Sequence, residues 1–118
     1  MEQEVKSVMD CLFCKIVAGE IPSTKIYEDD KVFAFRDIHP QAPVHVLIVP
    51  KKHMSNILEC DGETAAALTD AIRVIARQEG VDQSGFRVIS NCGRDGARSV
   101  NHLHVHLLGG TALSEKMA

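Results

Sequence analysis

The feature that most constrains the fold is a run of alternating histidines near the C-terminal end. Residues 102–108 read HLHVHLL, so histidine occupies every second position and an aliphatic residue follows each one. In a β-strand, successive side chains point to opposite faces. The pattern therefore predicts a strand over 102–108 that carries three imidazoles on one face. The other face, with Leu103, Val105 and Leu107, is predicted to pack on the core.

Imidazole brings chemistry that an ordinary strand surface does not need. It can exchange a proton near neutral pH, ligate a metal or act as a nucleophile, whereas strands are normally rich in β-branched and aromatic residues. A merely solvent-exposed histidine face is therefore the weaker explanation. Positions i and i+4 on a strand lie roughly 13 Å apart. His102 and His106 are thus expected to serve different sites.

The loop before this strand favours an anion site. Residues 91–99 read NCGRDGARS and combine glycines with polar donors. Backbone N–H groups of such a loop, together with the Arg98 guanidinium and the Ser99 hydroxyl, can form a cradle for a phosphate or an oxyanion.

The remaining segments predict an α+β fold with a mostly antiparallel sheet, one short helix and one long helix. Two strands, 25–27 and 32–35, read as a hairpin, and a dense β-branched run predicts a buried strand over 44–49. Helices are predicted over 11–18 after an Asp10 cap and from 61 to Gly80, and a further strand over 86–90. Residues 1–118 are expected to form one domain, with 1–9 as a flexible N-terminal extension.

The composition limits the possible partners. With 25% charged residues and a net charge of −3, the chain lacks the basic balance of a nucleic-acid scaffold. It has no apolar run near the roughly 20 residues of a membrane span, and its first residues lack the apolar segment of a signal peptide. We expect a cytoplasmic protein with reduced cysteines and neither nucleic acid nor membrane as a partner.

These motifs carry a resemblance to a known family. HLHVHLL matches the signature of the histidine triad (HIT) superfamily, and the match extends through CKIVAGEIPS and YEDDKVFAFRDIHPQAPVHVLIVPKKH to the Asn-x-Gly and Ser-Val-x-His residues before the triad. The chain resembles the Hint branch, the purine nucleoside phosphoramidases. The resemblance implies a HIT-like fold with a five-stranded sheet shared across a homodimer. It also implies purine nucleoside monophosphates or phosphoramidates as ligands, P–N bond hydrolysis through a nucleotidyl-histidine, and no organic cofactor.

The resemblance also implies roles for individual residues. His104 would be the nucleophile, and His106 would bind phosphate and assist proton transfer to the leaving group. His45 would hold His104 in the right tautomer, and Ser99 completes the catalytic set. The implied nucleotide-binding residues are these two triad histidines with Asp37, Ile38, Asn91, Arg98, Ser99, Leu12, Phe13 and Ile16, joined in the base pocket by Ile21. For the apolar residues near the N-terminus, an ordinary core position is the alternative.

Two departures bear on the substrate. Relatives commonly carry glutamine where this chain has Arg98, and arginine can hold an anion bidentately. The tail GGTALSEKMA lacks the Trp-Pro-Pro-Gly segment of eukaryote-like Hint proteins, so the preferred leaving amine is the least transferable property.

Gly109 and Gly110 after the triad favour the Hint branch over the related dinucleoside polyphosphate hydrolases of the Fhit branch. Both that activity and a non-catalytic nucleotide-binding adaptor remain alternatives.

A zinc site is the last prediction. Cys11 and Cys14 form a CxxC pair, which in a reducing compartment indicates half a metal site or a redox pair. Some bacterial relatives place a structural zinc at positions that match these cysteines together with His53 and His102, a Cys₂His₂ set. The alternative is two ordinary helix cysteines and a surface His53.

Overall fold

The computed structural model describes residues 11–98 and 100–116. The described residues form a five-stranded antiparallel sheet in the order β1-β2-β3-β5-β4, with one short and one long helix. In chain order the elements are α1 (Leu12–Val17), β1 (Lys25–Glu28), β2 (Val32–Arg36), β3 (Val44–Pro50), a 3₁₀ turn (Ile57–Glu59), α2 (Gly62–Gln78), β4 (Phe86–Ile89) and β5 (Val105–Gly109). The predicted fold class is confirmed.

Both faces of the sheet are covered. Along β3, Val46 and Ile48 point to the face under α2, whereas Leu47 and Val49 point to the face under α1. This explains why β3 is apolar at nearly every position: a strand buried on both sides has no solvent face to fill with polar residues. His45 shares its face with Leu47, so it lies on the α1 side of the sheet.

Helix α2 packs through one stripe. Leu68, Ala71, Ile75 and Ala76 are buried, at the spacing expected for one helix face. The Asp61 carboxylate accepts a hydrogen bond from the Thr64 N–H (2.7 Å), which caps the helix as the sequence predicts. Among residues 11–98 and 100–116, no helix combines the length and apolar character needed to cross a bilayer.

Strand β5 begins three residues later than predicted. The Leu103 N–H donates to the Met54 carbonyl (2.6 Å), and the His102 carbonyl accepts a bond from the His104 ring (2.7 Å). These main-chain groups therefore cannot form the hydrogen bonds that would extend β5 along its neighbouring strands. The prediction that all three histidines belong to one strand was wrong for His102 and His104.

The ladder stops for a second reason. β3 pairs with β5 as far as Ile48 opposite Val105, and its last residue, Pro50, has no N–H to donate. The predicted division of faces survives, because Leu103, Val105 and Leu107 all pack in the core cluster under α2.

Helix α1 is only six residues long, and the Cys11 thiol accepts a bond from the Cys14 N–H at its start. The predicted cap, Asp10, and the predicted extension 1–9 lie outside the described residues. Phe13 and Ile16 attach the helix to the sheet by packing with Phe33, Phe35 and Leu47.

Candidate active site and metal centre

Strand register brings two of the histidines together. Leu47 of β3 lies opposite His106 of β5, so His45 and His106 are diagonal neighbours on the α1 face. His45 Nε2 lies 2.9 Å from His106 Nδ1. The expected contact between His45 and His104 was therefore wrong, because His104 lies beyond the end of the ladder and His106 takes its place.

The hydrogen bonds determine which nitrogen of each ring carries the proton. The Gln41 N–H donates to His45 Nδ1 (3.0 Å), so this nitrogen is an acceptor and the neutral ring is protonated at Nε2. His45 Nε2–H then donates to His106 Nδ1. His106 consequently carries its own proton on Nε2, the nitrogen that is free to donate to another group.

His104 has the opposite tautomer. Its Nδ1–H donates to the His102 carbonyl (2.7 Å), because a carbonyl can only accept. Nε2 of His104 is left with a free lone pair. The rings of His104 and His106 pack edge to face with centroids 5.1 Å apart. The pair thus places a nucleophilic nitrogen beside a ring with a transferable proton.

Burial keeps these rings neutral. It is the main reason that the pKa of His106 falls from the ordinary value of 6.5 to about 4, and the neighbouring His104 and His45 contribute to this lowering. Burial is also the main cause of the lowered pKa values of His45 and His104. A neutral imidazole has the lone pair that nucleophilic attack needs.

Asp37 completes this cluster. Its Oδ2 lies 3.5 Å from His45 Nε2, and its Oδ1 accepts the His39 N–H (2.8 Å). Asp37, His45 and His106 are close enough to be considered as metal ligands. The donor set argues against that use, because the Gln41 N–H at Nδ1 requires the His45 proton to sit on Nε2, the nitrogen that would have to bind the ion.

A second cluster has the properties of a metal centre. One nitrogen or sulfur from each of Cys11, Cys14, His53 and His102 lies within 4.8 Å of all the others. The Cys11 and Cys14 sulfurs lie 3.2 and 3.5 Å from His102 Nδ1, and Cys14 lies 3.3 Å from His53 Nδ1. In tetrahedral zinc coordination the sulfur and nitrogen ligands are roughly 3.5 Å apart, so these spacings fit.

The proton position on the His102 ring also fits a metal. His102 Nε2–H donates to the Pro50 carbonyl (2.9 Å), so the lone pair on Nδ1 points to the cysteines. A backbone partner on the outer nitrogen is the usual arrangement for a ligating histidine. Burial raises the pKa of Cys14 to about 12 with Cys11 adding to the effect, so the thiolate form needs a cation beside it. The four predicted ligands could hold a metal.

The loop over 91–98 contributes polar groups. The Asn91 side-chain amide donates to the Gly96 carbonyl (2.7 Å), and Arg98 Nη1 donates to the Ser55 carbonyl (3.1 Å). Ser99, predicted to be catalytic and phosphate-binding, lies outside the described residues.

The predicted base-pocket residues differ in accessibility. Phe13 and Ile16 are buried in the core under α1, and the Phe13 ring packs edge to face against His104 with centroids 5.0 Å apart. Ile21 is partly buried against the same cluster. Leu12 and Ile38 remain 44% and 84% exposed, so they offer the accessible apolar surface.

Several groups of this site were not predicted. The Gln41 N–H and the carbonyls of Pro50, His102 and Ser55 orient the histidines and Arg98. All are main-chain groups brought together by the folded loops. No side-chain pattern signals them.

Comparisons with known proteins place the chain among related sequences. The family model described as HIT domain matches residues 18–113. The chain is 45% identical over 112 residues to the purine nucleoside phosphoramidase of Escherichia coli K12, covering 92% of this chain and 94% of the relative. It is 44% identical over 110 residues to a 14 kDa zinc-binding protein of Brassica juncea, covering 89% and 96%. A solved histidine triad protein from Clostridium difficile has a TM-score of 0.87 and 50% identity, covering 92% and 96% of the two chains.

Proposed function

Because this chain belongs to the HIT domain family, we propose that it hydrolyses the P–N bond of purine nucleoside 5′-phosphoramidates through a nucleotidyl intermediate on His104. The observation that carries the proposal is the pair of opposite tautomers. His104 has a free Nε2 lone pair, and the neighbouring His106 has a proton on Nε2.

The mechanism follows from these two nitrogens. His104 Nε2 attacks phosphorus and forms an N–P bond while the substrate P–N bond breaks. The leaving amine takes the electron pair of that bond, and the His106 Nε2–H supplies its proton. Water then attacks phosphorus and gives a proton back to His106 Nε2, the bond to His104 breaks with its electron pair returning to His104 Nε2, and the nucleoside monophosphate is released. His45 is a positioning residue, since it sets the tautomer of His106.

The surrounding residues suit a nucleotide. Arg98, Asn91 and Ser99 are proposed to contact the phosphate and ribose, and the Asp37 carboxylate is proposed to accept bonds from the ribose hydroxyls. The exposed side chains Leu12 and Ile38 are proposed to contact the purine, with Phe13 and Ile16 supporting them from the core.

Cys11, Cys14, His53 and His102 are proposed to hold a structural zinc ion. Four protein ligands leave no open position for substrate, so the ion would act as a cross-link. It would join the start of α1, the loop after β3 and the segment before β5.

The quaternary structure is proposed to be a homodimer. Strand β4 is an edge strand on which Phe86 and Val88 are 40% and 46% exposed. Beside it, an apolar groove of about 440 Å³ runs between α2 and the strands β4 and β5. An apolar edge of this kind is a template for strand pairing. A second copy of the chain would cover the edge and continue the sheet.

The test is turnover of adenosine 5′-phosphoramidate with trapping of the intermediate. The wild-type protein should release AMP, and rapid quenching in alkaline denaturant, in which the N–P bond survives, should yield a peptide with an AMP adduct on His104. His104→Ala should abolish both while AMP binding stays within about tenfold. Substantial turnover by this variant would contradict the assignment. Faster hydrolysis of diadenosine polyphosphates would instead favour the Fhit-like activity, and binding without any turnover would favour an adaptor.

A further inference from the structure

Arg98 is a half-buried cation whose charge has no carboxylate partner within the described part of the chain. Its Nη1 donates to the neutral Ser55 carbonyl (3.1 Å). Arg36, Arg73 and Arg94, in contrast, each form an ion pair with an acidic side chain. Partial burial without a counter-charge is unfavourable, so this guanidinium is available to an anion from outside.

The anchor places the charge near the nucleophile. Ser55 directly follows Met54 in the chain. The Met54 carbonyl accepts a hydrogen bond from the N–H of Leu103 (2.6 Å), and Leu103 is the residue before His104. A guanidinium bound to Ser55 therefore lies beside the segment that carries His104.

The loop holds Arg98 in place. Its N–H donates to the Gly93 carbonyl (3.2 Å), and the preceding residue, Ala97, has a left-handed backbone with φ of 59°. Ala97 is the only non-glycine residue with positive φ in the parts of the chain that the structure describes. Gly96 packs so tightly that a Cβ there would lie 2.4 Å from the Cys92 carbonyl oxygen. Strain of this kind persists where the surrounding structure enforces it.

We propose that Arg98 is a specificity-determining residue that favours nucleoside 5′-phosphoryl substrates with an anionic leaving group over those with a neutral amine. This inference rests on the function proposed above and extends it to a substrate class. When a sulfate leaves phosphorus, it takes the electron pair of the P–O bond and departs as a dianion without needing a proton. When ammonia leaves, the P–N bond breaks and the proton comes from His106. A guanidinium without a counter-charge stabilises the departing dianion far more than the neutral amine.

The experiment compares two substrates that differ only in the leaving group, adenosine 5′-phosphosulfate and adenosine 5′-phosphoramidate. Arg98→Gln removes the charge but retains a donor for the Ser55 carbonyl. It should lower kcat/KM for both substrates, with a further loss of about tenfold for the phosphosulfate. The matched control is Arg94→Gln, the same change in the same loop at an exposed arginine paired with Asp95. This control should leave both rates unchanged.

The inference would be overturned if Arg98→Gln lowered kcat/KM equally for the two substrates. It would also be overturned if Arg94→Gln showed the same selective loss of kcat/KM for the phosphosulfate. If the wild-type protein hydrolyses neither substrate, the proposed function fails. Equilibrium binding then tests Arg98 separately by calorimetry with the same two compounds. A ratio of dissociation constants that shifts about tenfold between wild type and Arg98→Gln supports the inference, and an unchanged ratio overturns it.

Discussion

Single residues in this site obtain their chemistry from the main chain. A histidine has two possible neutral tautomers, and here a backbone partner selects one in each case: the Gln41 N–H for His45, and the carbonyls of His102 and Pro50 for His104 and His102. The tautomer determines which nitrogen attacks and which donates a proton. The main-chain groups around the rings therefore set the role of each histidine.

The pKa of His106 leads to a prediction on stability. The folded state holds this pKa at about 4, beneath the ordinary 6.5 expected when the chain is unfolded. The unfolded chain therefore binds a proton first, and the free energy of unfolding should fall as the pH is lowered from about 6.5 to about 4. Allowing for partial solvent screening, His106 should contribute about 1–2 kcal/mol to this fall.

The measurement is urea unfolding of wild type and His106→Gln across this pH range. The glutamine can still accept the bond from His45 Nε2 but does not titrate, so its curve should be flatter. His39→Gln, at an exposed loop residue, is the matched control and should follow wild type. Parallel curves for wild type and His106→Gln would show that the other groups facing this ring, His104, His45 and Asp37, account for the fall.

At the residue scale, side-chain patterns could predict which residues gather but not which atoms meet. The four metal-ligand candidates lie together as the resemblance implies, from segments up to 91 positions apart. His45 was assigned to the wrong neighbour because the contact depends on the register of β3 against β5. A shift of two residues along the ladder would exchange its partner.

Among the elements, α1 depends most on its surroundings. A helix of six residues is far too short to be stable alone. It is held by Phe13 and Ile16 in the core and, as proposed, by a metal at its first turn.

Removal of the metal is therefore expected to loosen this end of the molecule. Protein purified without chelators should contain about one equivalent of zinc, and a chelator or Cys14→Ser should lower Tm by about 10 °C or more, since metal binding is coupled to folding. Turnover should weaken only indirectly, through the looser position of His104. Cys92→Ser, outside the cluster, should keep wild-type metal content and Tm.

The outcome that would contradict the zinc proposal is less than about a tenth of an equivalent of metal, with both Cys11 and Cys14 reactive to a thiol reagent. Cys11 and Cys14 would then be ordinary helix cysteines, which is the alternative interpretation of the CxxC pair.

Element boundaries were predictable where periodicity is strong. The helix predicted from 61 to Gly80 begins and ends within two residues of that range, because its cap and its apolar stripe are both local signals. The strand predicted over 102–108 failed at its start, since His102 and Leu103 bond to Pro50 and Met54, about 50 residues earlier in the chain. Local patterns contain no information about such distant partners.

At the scale of the whole molecule, the sheet has two edges with different character. The β1 edge bears charged side chains such as Lys25 and Glu28, which form an ion pair. The β4 edge carries exposed Phe86 and Val88. Charged residues discourage pairing at an edge and apolar residues promote it, so β4 is the edge expected to meet a second copy.

Light scattering at micromolar concentration should give about twice the chain mass of 12.9 kDa. Val88→Asp places a charge on the β4 edge and should yield the monomer mass, whereas Thr24→Asp beside the β1 edge should remain dimeric. A monomeric wild type would refute the proposed dimer, and so would an unchanged mass for Val88→Asp.

His102 shows how such a molecule can change over evolutionary time. Its side chain is a proposed metal ligand, while its main-chain carbonyl orients the ring of His104. Substitution alters the side chain but leaves the carbonyl in place. A lineage can therefore discard the metal centre by ordinary point mutations without erasing the bond that orients the nucleophile. Metal binding by the His102 side chain and orientation of His104 by the His102 carbonyl can therefore be kept or lost independently, and loss of the ion need not end catalysis.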